Sequence, residues 1–124
     1  MKPTIAIGIF FAFISILMNA LGSHAVKAAL IERQMVESYQ IACNFTMYHG
    51  LALILLGIFM HLFPDIKFNY VVIGFVLGSI LFQGVIFSKS FVDVGKLGLL
   101  NPIGGSILFL SWIYFFYLVV RFVK

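Results

Sequence analysis

Four long apolar blocks divide this chain and constrain its fold more than any other feature. They lie at about residues 3–21, 39–63, 70–88 and 101–121. Each has close to the roughly 20 residues that an α-helix needs to cross the hydrocarbon core of a bilayer. Hydrophobic residues make up 63% of the chain and charged residues only 10%, whereas soluble domains carry about 25% charged residues. The sequence therefore predicts an all-α membrane protein.

The order of the blocks predicts one transmembrane domain, residues 1–124, folded as a compact bundle of four helices. An even number of spans puts both termini on the same side of the membrane. The first block is longer than the roughly 7–15 residues of a signal-peptide core, so we expect a retained helix. Apolar and charged residues alternate over residues 25–38. This pattern predicts a short amphipathic segment at the interface or a helical extension of the first block.

The basic residues flank the blocks and do not favour one orientation. Four of them lie on the side of the termini and four on the opposite side. The positive-inside rule then gives only a weak lean, from the free amino group and the terminal cations, towards termini inside the cell. No basic run is interleaved with aromatic residues in a polar segment, so the sequence does not predict nucleic-acid binding.

Small residues recur at helical spacing on the first, third and fourth blocks. Helices in lipid associate through such faces because small side chains let backbones approach closely. The predicted helix-packing residues are Gly8, Ala12, Gly22, Gly74, Gly78, Gly84, Gly104 and Gly105. The same faces are equally compatible with a homo-oligomer.

One histidine, His49, lies inside the second block and is the main candidate for chemistry. A titratable group at this depth is costly unless it faces protein or a cavity. Tyr39, Thr46 and His49 fall on one helix face, so we expect a polar track into the bundle. The structural interpretation is that His49 bonds a backbone carbonyl, or Ser15 or Asn19 on a facing helix. The functional interpretation is a proton relay or ligand contact.

A second histidine, His24, closes the first block and raises the possibility of haem or metal binding together with His49. The spacing argues against it, because two axial ligands need facing helices at matched depth. The four acidic residues all fall between the blocks, so no carboxylate pair is available for acid–base catalysis. We therefore expect no enzyme activity, no cofactor and no metal. The aromatic residues of the fourth block, Trp112 among them, are typical of lipid contacts and an interfacial belt.

Four stretches resemble the domain of unknown function 423 family, in order and over nearly the whole chain. They are residues 21–25 (Leu-Gly-Ser-His-Ala), 48–53 (Tyr-His-Gly-Leu-Ala-Leu), 81–84 (Leu-Phe-Gln-Gly) and 101–105 (Asn-Pro-Ile-Gly-Gly), the last followed by Trp112. This family includes small bacterial inner-membrane proteins and is similar to mitochondrial transmembrane protein 256. The resemblance implies four helices in a bacterial plasma membrane, or in the mitochondrial inner membrane of a eukaryote. It implies no activity, because the family is uncharacterised.

The chain departs from that family at two polar places. Residues 44–46 are Asn-Phe-Thr where members commonly have Glu-Tyr-Gln, and residues 83–87 are Gln-Gly-Val-Ile-Phe where they have Ser-Gly-Ser-Leu-Tyr. A proton relay built on those groups is therefore not supported here. The leading hypothesis is a structural or accessory protein that contacts lipid and either a membrane-protein partner or a second copy of itself. The alternatives are a carrier or binding protein for a small hydrophobic or cationic molecule at His49, and a haem or metal protein.

Overall fold

The computed structural model, which describes residues 1–124, contains four helices long and apolar enough to cross a membrane. They are span 1 (Lys2–Ser23), span 2 (Val36–Leu62), span 3 (Asn69–Lys89) and span 4 (Gly95–Phe122). Span 3 is made of the α-helices Asn69–Ser79 and Val85–Lys89 around a π-helical turn, Ile80–Gly84, which we call the π-turn. Span 4 begins with a 3₁₀ turn, Gly95–Leu99, and continues as the α-helix Leu100–Phe122. The predicted all-α membrane fold is confirmed.

The segment between spans 1 and 2 is a separate short helix, Lys27–Glu32. Its Leu30 is buried against Tyr39 and Cys43, while its charged residues are exposed. The amphipathic segment is therefore confirmed, and the alternative of a helical extension of the first block is wrong. Span 2 begins at Val36, earlier than the predicted residue 39, with Glu37 in its first turn. A carboxylate at this end is favoured by the partial positive charge of a helix N-terminus.

Both termini lie at one end of the bundle. The Thr4 hydroxyl near the start of span 1 contacts the Met60 sulfur near the end of span 2. Leu118 and Phe122, at the end of span 4, line a cleft together with Asp65–Lys67 in the connection after span 2. The predicted arrangement with both termini on the same side is thus confirmed.

Span 2 is the central helix, with half of its apolar window buried against its neighbours. Span 1 packs along one side of it, and spans 3 and 4 pack together on the other. The core lies between spans 2, 3 and 4. Its fully buried members are Leu53, Leu56, Phe68, Val71 and Phe75.

Glycines lie at two crossings where helix backbones touch. A Cβ on Gly8 would come within 2.5 Å of the Gly50 carbonyl oxygen, so spans 1 and 2 touch backbone to backbone there. A Cβ on Gly104 would meet the Phe82 amide nitrogen of the π-turn at the same distance, and Gly78 packs against Leu108. Three further contacts complete these interfaces: Gly50 with Ala12, Gly22 with the Tyr39 ring, and Gly74 with Ser111. The small-residue faces of spans 1, 3 and 4 are therefore occupied within one chain.

Two of the predicted packing glycines behave differently. A Cβ on Gly84 would find no atom within 4 Å, so the expected helix contact at this residue is wrong. Gly84 ends the π-turn and borders a cavity instead. A Cβ on Gly105 would lie 3.5 Å from the Phe82 ring, which is ordinary van der Waals contact. A larger side chain is therefore not excluded at either position.

The residues that open span 4 hold the π-turn in place. The Asn101 side-chain amide donates to the Phe82 carbonyl oxygen at 2.8 Å, and Gly104 lets the two backbones meet. A π-turn displaces carbonyl groups from regular helical pairing, and Asn101 satisfies one of them. The Asn-Pro-Ile-Gly-Gly stretch therefore does more than begin a helix, because it also joins span 4 to span 3.

Candidate functional site

His49 lies in the interior of span 2 and is only 3% exposed. Its Nδ1 is 2.7 Å from the carbonyl oxygen of Phe45, one turn earlier. Its Nε2 is 3.0 Å from the indole Nε1 of Trp112 on span 4. Both ring nitrogens are therefore engaged, one within span 2 and one across to span 4.

These partners assign the tautomer of His49. The Phe45 carbonyl can only accept, so Nδ1 must carry the hydrogen, and the Trp112 indole can only donate, so Nε2 must be the acceptor. This is the neutral imidazole. The ring has no nitrogen left for a metal, a haem iron or a substrate proton in this arrangement.

Aromatic rings pack against the pair on its inner side. The His49 ring centroid lies 5.2 Å from that of Phe75, 6.0 Å from that of Phe45 and 5.9 Å from that of Trp112. Trp112 also packs at 4.8 Å from Phe75. The assignment of Trp112 to lipid contact alone is therefore corrected. Its indole N–H needs an acceptor in the apolar interior, and His49 supplies it.

Ser15 and Asn19, the expected partners of His49, bind elsewhere. The Ser15 hydroxyl donates to the Cys43 carbonyl oxygen at 2.7 Å. The Asn19 side-chain oxygen accepts from the Gln40 amide at 3.0 Å. The prediction that they pair with His49 is wrong, because span 1 packs on a different face of span 2 from the one that directs His49 to Trp112 and Phe75. The alternative partner, a backbone carbonyl, is the one that His49 has, and Phe45 provides it.

Tyr39 and Thr46 are buried on span 2 but do not form a connected track with His49. The Tyr39 hydroxyl donates to the Met18 carbonyl of span 1. The Thr46 hydroxyl donates to the Ala42 carbonyl of its own helix at 2.7 Å. Each polar group is thus satisfied separately, and no hydrogen bond links it to His49.

A lateral groove of about 510 Å³ runs between spans 2 and 4 beside the pair. Drug-sized ligands occupy pockets of about 300–1,000 Å³. Its walls are mostly apolar and contain no acidic residue. The lining residues are Phe45, Tyr48, His49, Gly105, Leu108, Phe109 and Trp112.

The second histidine lies apart from this site. His24 is exposed at the end of span 1, whereas His49 is buried halfway along span 2. No three side chains of His, Cys, Asp or Glu come together anywhere in the chain. The four acidic residues, Glu32, Glu37, Asp65 and Asp93, are all exposed.

Comparison with known proteins identifies one family. The sequence profile described as "Protein of unknown function (DUF423)" matches residues 18–105. Relatives named UPF0382 membrane proteins occur in bacteria and in yeast. The Staphylococcus haemolyticus relative is 28% identical over 123 residues, 99% of each chain. The Bacillus subtilis relative is 24% identical over 91% of this chain and 92% of its own.

The relative from the yeast Schizosaccharomyces pombe is 28% identical over 80% of this chain and 86% of its own. None of these names states an activity, a substrate or a partner. No solved structure matches this chain.

Proposed function

This chain belongs to the DUF423 family of proteins of unknown function, and on that premise we propose that it is a non-enzymatic accessory protein of the membrane. In this proposal a preformed bundle binds a membrane-protein partner through the outward face of span 1. The carrying observation is that His49, the main candidate for chemistry, is already paired within the bundle. Both nitrogens of His49 are hydrogen-bonded internally, and every acidic side chain lies exposed outside the apolar core.

The lateral surface is what remains for interaction. Span 1 is the least buried of the four, with only 11% of its apolar window covered by the rest of the chain. Its outward face carries large apolar side chains: Ile9, Phe13, Ile16 and Leu17. The small residues of this helix face span 2, so a partner would meet bulky side chains through van der Waals packing.

Site-specific photocrosslinking in native membranes tests this proposal. A benzophenone amino acid replaces Phe13 on span 1 or, as the matched control, Phe116 on span 4, which are 59% and 71% exposed. We expect a protein adduct of discrete mass from position 13 that is absent from position 116. An adduct of twice the chain mass would identify the partner as a second copy. Lipid adducts alone at both positions, or the same protein adducts at both, would overturn the proposal.

We also propose a bacterial plasma-membrane location, or the mitochondrial inner membrane for a eukaryotic source. The support is that the bacterial relatives are named membrane proteins and that four apolar helices are present. Separation of inner and outer membranes on a density gradient, followed by immunoblotting, tests the location. Recovery in the outer-membrane fraction would contradict it.

A second candidate function is binding of a small hydrophobic molecule in the groove beside Trp112. The supporting observation is the groove volume, about 510 Å³; the absence of acidic residues from its walls disfavours a cation. Trp112 is the only tryptophan, so its fluorescence reports on this groove directly. We expect brominated acyl chains to quench it, and Gly105→Leu, which places a side chain in the groove, to reduce the quenching. Equal quenching in both proteins would exclude the groove as a binding site.

A further inference from the structure

A second cavity, of about 320 Å³, lies between spans 1, 2 and 3 and shares no lining residue with the His49 groove. Span 1 contributes Phe10, Phe11 and Ile14 to its wall. Span 2 contributes Thr46, and span 3 contributes a run of residues around the π-turn: Ser79, Ile80, Gln83, Gly84 and Phe87. The cavity exists because span 1 packs on span 2 alone and leaves a wedge in front of span 3.

Two polar side chains of span 3 at this cavity have no hydrogen-bond partner. Gln83 is 3% exposed, and neither its Nε2 nor its Oε1 is paired. Ser79 is 4% exposed, and its Oγ is unpaired as well. Other serines in or directly after spans 3 and 4 behave differently: Ser88, Ser90, Ser106 and Ser111 all donate to the carbonyl four residues earlier. Unpaired polar groups are especially costly in lipid, where no water compensates them.

The π-turn sets Gln83 in this position. Gln83 lies within Ile80–Gly84, whose extra residue rotates the following side chains relative to a regular helix. Asn101 and Gly104 hold the turn from the side of span 4. π-helical turns occur frequently at functional sites. A held π-turn, an unpaired buried amide and an adjoining cavity are three separate observations on the same few residues.

From these observations we propose that the cavity binds an amphiphile through an uncharged hydroxyl or carbonyl group, which pairs with the Gln83 amide and the Ser79 hydroxyl. An amide both donates and accepts, so it suits either polar group. The Gln83 and Ser79 polar atoms are enclosed when the cavity is empty, so this proposal requires the flexible Gln83 side chain to rotate and present its amide to the guest. The apolar wall formed by Phe10, Phe11 and Phe87 covers the hydrocarbon part. The volume exceeds the lower limit of about 300 Å³ for ligand pockets. No charged side chain lines the cavity, so an ionic head group of the occupant would stay outside it.

The experiment uses the full chain in nanodiscs and two photoreactive probes of equal length, a diazirine fatty alcohol and the corresponding diazirine alkane. Labelled peptides are located by mass spectrometry. We expect the alcohol to label spans 1 and 3 at the cavity about tenfold more than the alkane. Two hydrogen bonds, each contributing a typical amount, correspond to a factor of that order.

Two variants and two matched controls decide the result. Gln83→Leu removes the amide, and Gly84→Leu fills the cavity at a position with no atom within 4 Å of a Cβ. Both should abolish the alcohol preference. Gln40→Leu changes an exposed glutamine away from the cavity, and Gly98→Leu changes a glycine that also has open space around it. Both should keep the preference.

The unfolding temperature distinguishes ligand binding by Gln83 from a merely structural role, in which replacing Gln83 would lower that temperature. Without probe, Gln83→Leu should unfold at the same or a higher temperature than the native chain, because it removes an unpaired buried amide. Native protein should gain stability on addition of hexadecanol and the variant should not. Equal labelling by alcohol and alkane, or labelling unchanged in both cavity variants, would overturn the proposal. So would a lower unfolding temperature of Gln83→Leu together with no effect of hexadecanol on the native chain.

A comparison of lipids identifies the source of the polar group. Ether-linked phospholipids lack the acyl carbonyls of ester-linked ones. Higher alcohol labelling in ether-lipid nanodiscs would assign the native occupant to a bilayer phospholipid, because its competing carbonyl is then absent. Equal labelling in the two lipids would assign it to a free amphiphile. Both outcomes support the site, and its failure would leave the partner surface on span 1 untouched.

Discussion

The indole N–H of Trp112 donates to Nε2 of His49 across the gap between spans 4 and 2, with 3.0 Å between the two nitrogens. Each residue supplies the hydrogen-bond partner that the other would lack in an apolar surrounding. The indole needs an acceptor, and the neutral imidazole needs a donor once its Nδ1–H is committed to the Phe45 carbonyl. The pair therefore acts as a polar anchor that sets the level of span 4 against span 2.

The first prediction concerns the strength of that anchor. Trp112→Phe removes the donor and leaves His49 Nε2 unpaired, so the free energy of unfolding in a detergent titration should fall. Because Trp112→Phe also removes contacts with other rings, a double-mutant cycle with His49→Leu is needed to isolate the interaction between these two side chains. Interhelical hydrogen bonds in membrane proteins average about 0.6 and reach about 1.7 kcal/mol, and we expect a coupling energy in that range. A coupling energy near zero would show that the contact does not hold the helices together.

The second prediction compares two glycines with opposite surroundings. Gly8→Ala places a methyl group against the Gly50 backbone, and overpacking of this kind costs about 1–3 kcal/mol. Gly84→Ala meets open space at a helical φ of −60°, where alanine is preferred over glycine by roughly 0.5–1 kcal/mol. Unfolding titrations should therefore give destabilisation for Gly8→Ala and no loss for Gly84→Ala. Equal effects would contradict the crossing of spans 1 and 2 described above.

The third prediction concerns the contact between Tyr39 and span 1. Tyr39→Phe removes the hydroxyl that donates to the Met18 carbonyl but keeps the ring over Gly22. We expect a loss of about 0.6–1.7 kcal/mol in the free energy of unfolding, the range of an interhelical hydrogen bond in a membrane. Tyr48→Phe is the matched control, since Tyr48 is exposed and makes no side-chain hydrogen bond in the structure. An equal effect of the two substitutions would mean that the Tyr39 hydroxyl bond contributes nothing.

Helix number and position were predictable because apolar length depends on composition alone. The depth of His49 followed from its place in the second block. Its partner did not, because contact across helices depends on their rotation and level, and neither is encoded in spacing within one helix. Trp112 carried one usable signal: an indole N–H inside an apolar run needs an acceptor, and His49 is the one histidine buried in a span.

The cavity at Gln83 was the feature that sequence reasoning missed. In a regular helix, spacing alone assigns a residue to a face, but the π-turn Ile80–Gly84 shifts that assignment for every residue after it. The replacement of the family's serine by Gln83 was visible in the sequence as a departure at a polar position. The sequence did not show whether that amide is paired, because pairing depends on the wedge between spans 1 and 3.

The last prediction concerns orientation in the membrane. Thr4 contacts Met60 and Leu118 lies beside the 65–67 connection, so reporter fusions at the two termini should lie in the same compartment, with a lean to the cytoplasm.

The eight cations divide four against four between the two sides, so the balance should be easy to shift. Arg121→Gln with Lys124→Gln leaves two cations on the terminal side against four, and a fraction of molecules should insert with termini outside. Paired alkaline phosphatase and fluorescent-protein fusions measure that fraction, and Glu32→Gln with Glu37→Gln is the control, because acidic residues contribute little to orientation. Termini reported on opposite sides would contradict the four-span fold itself, whereas an unshifted orientation in the arginine–lysine variant would show that loop charge does not decide it.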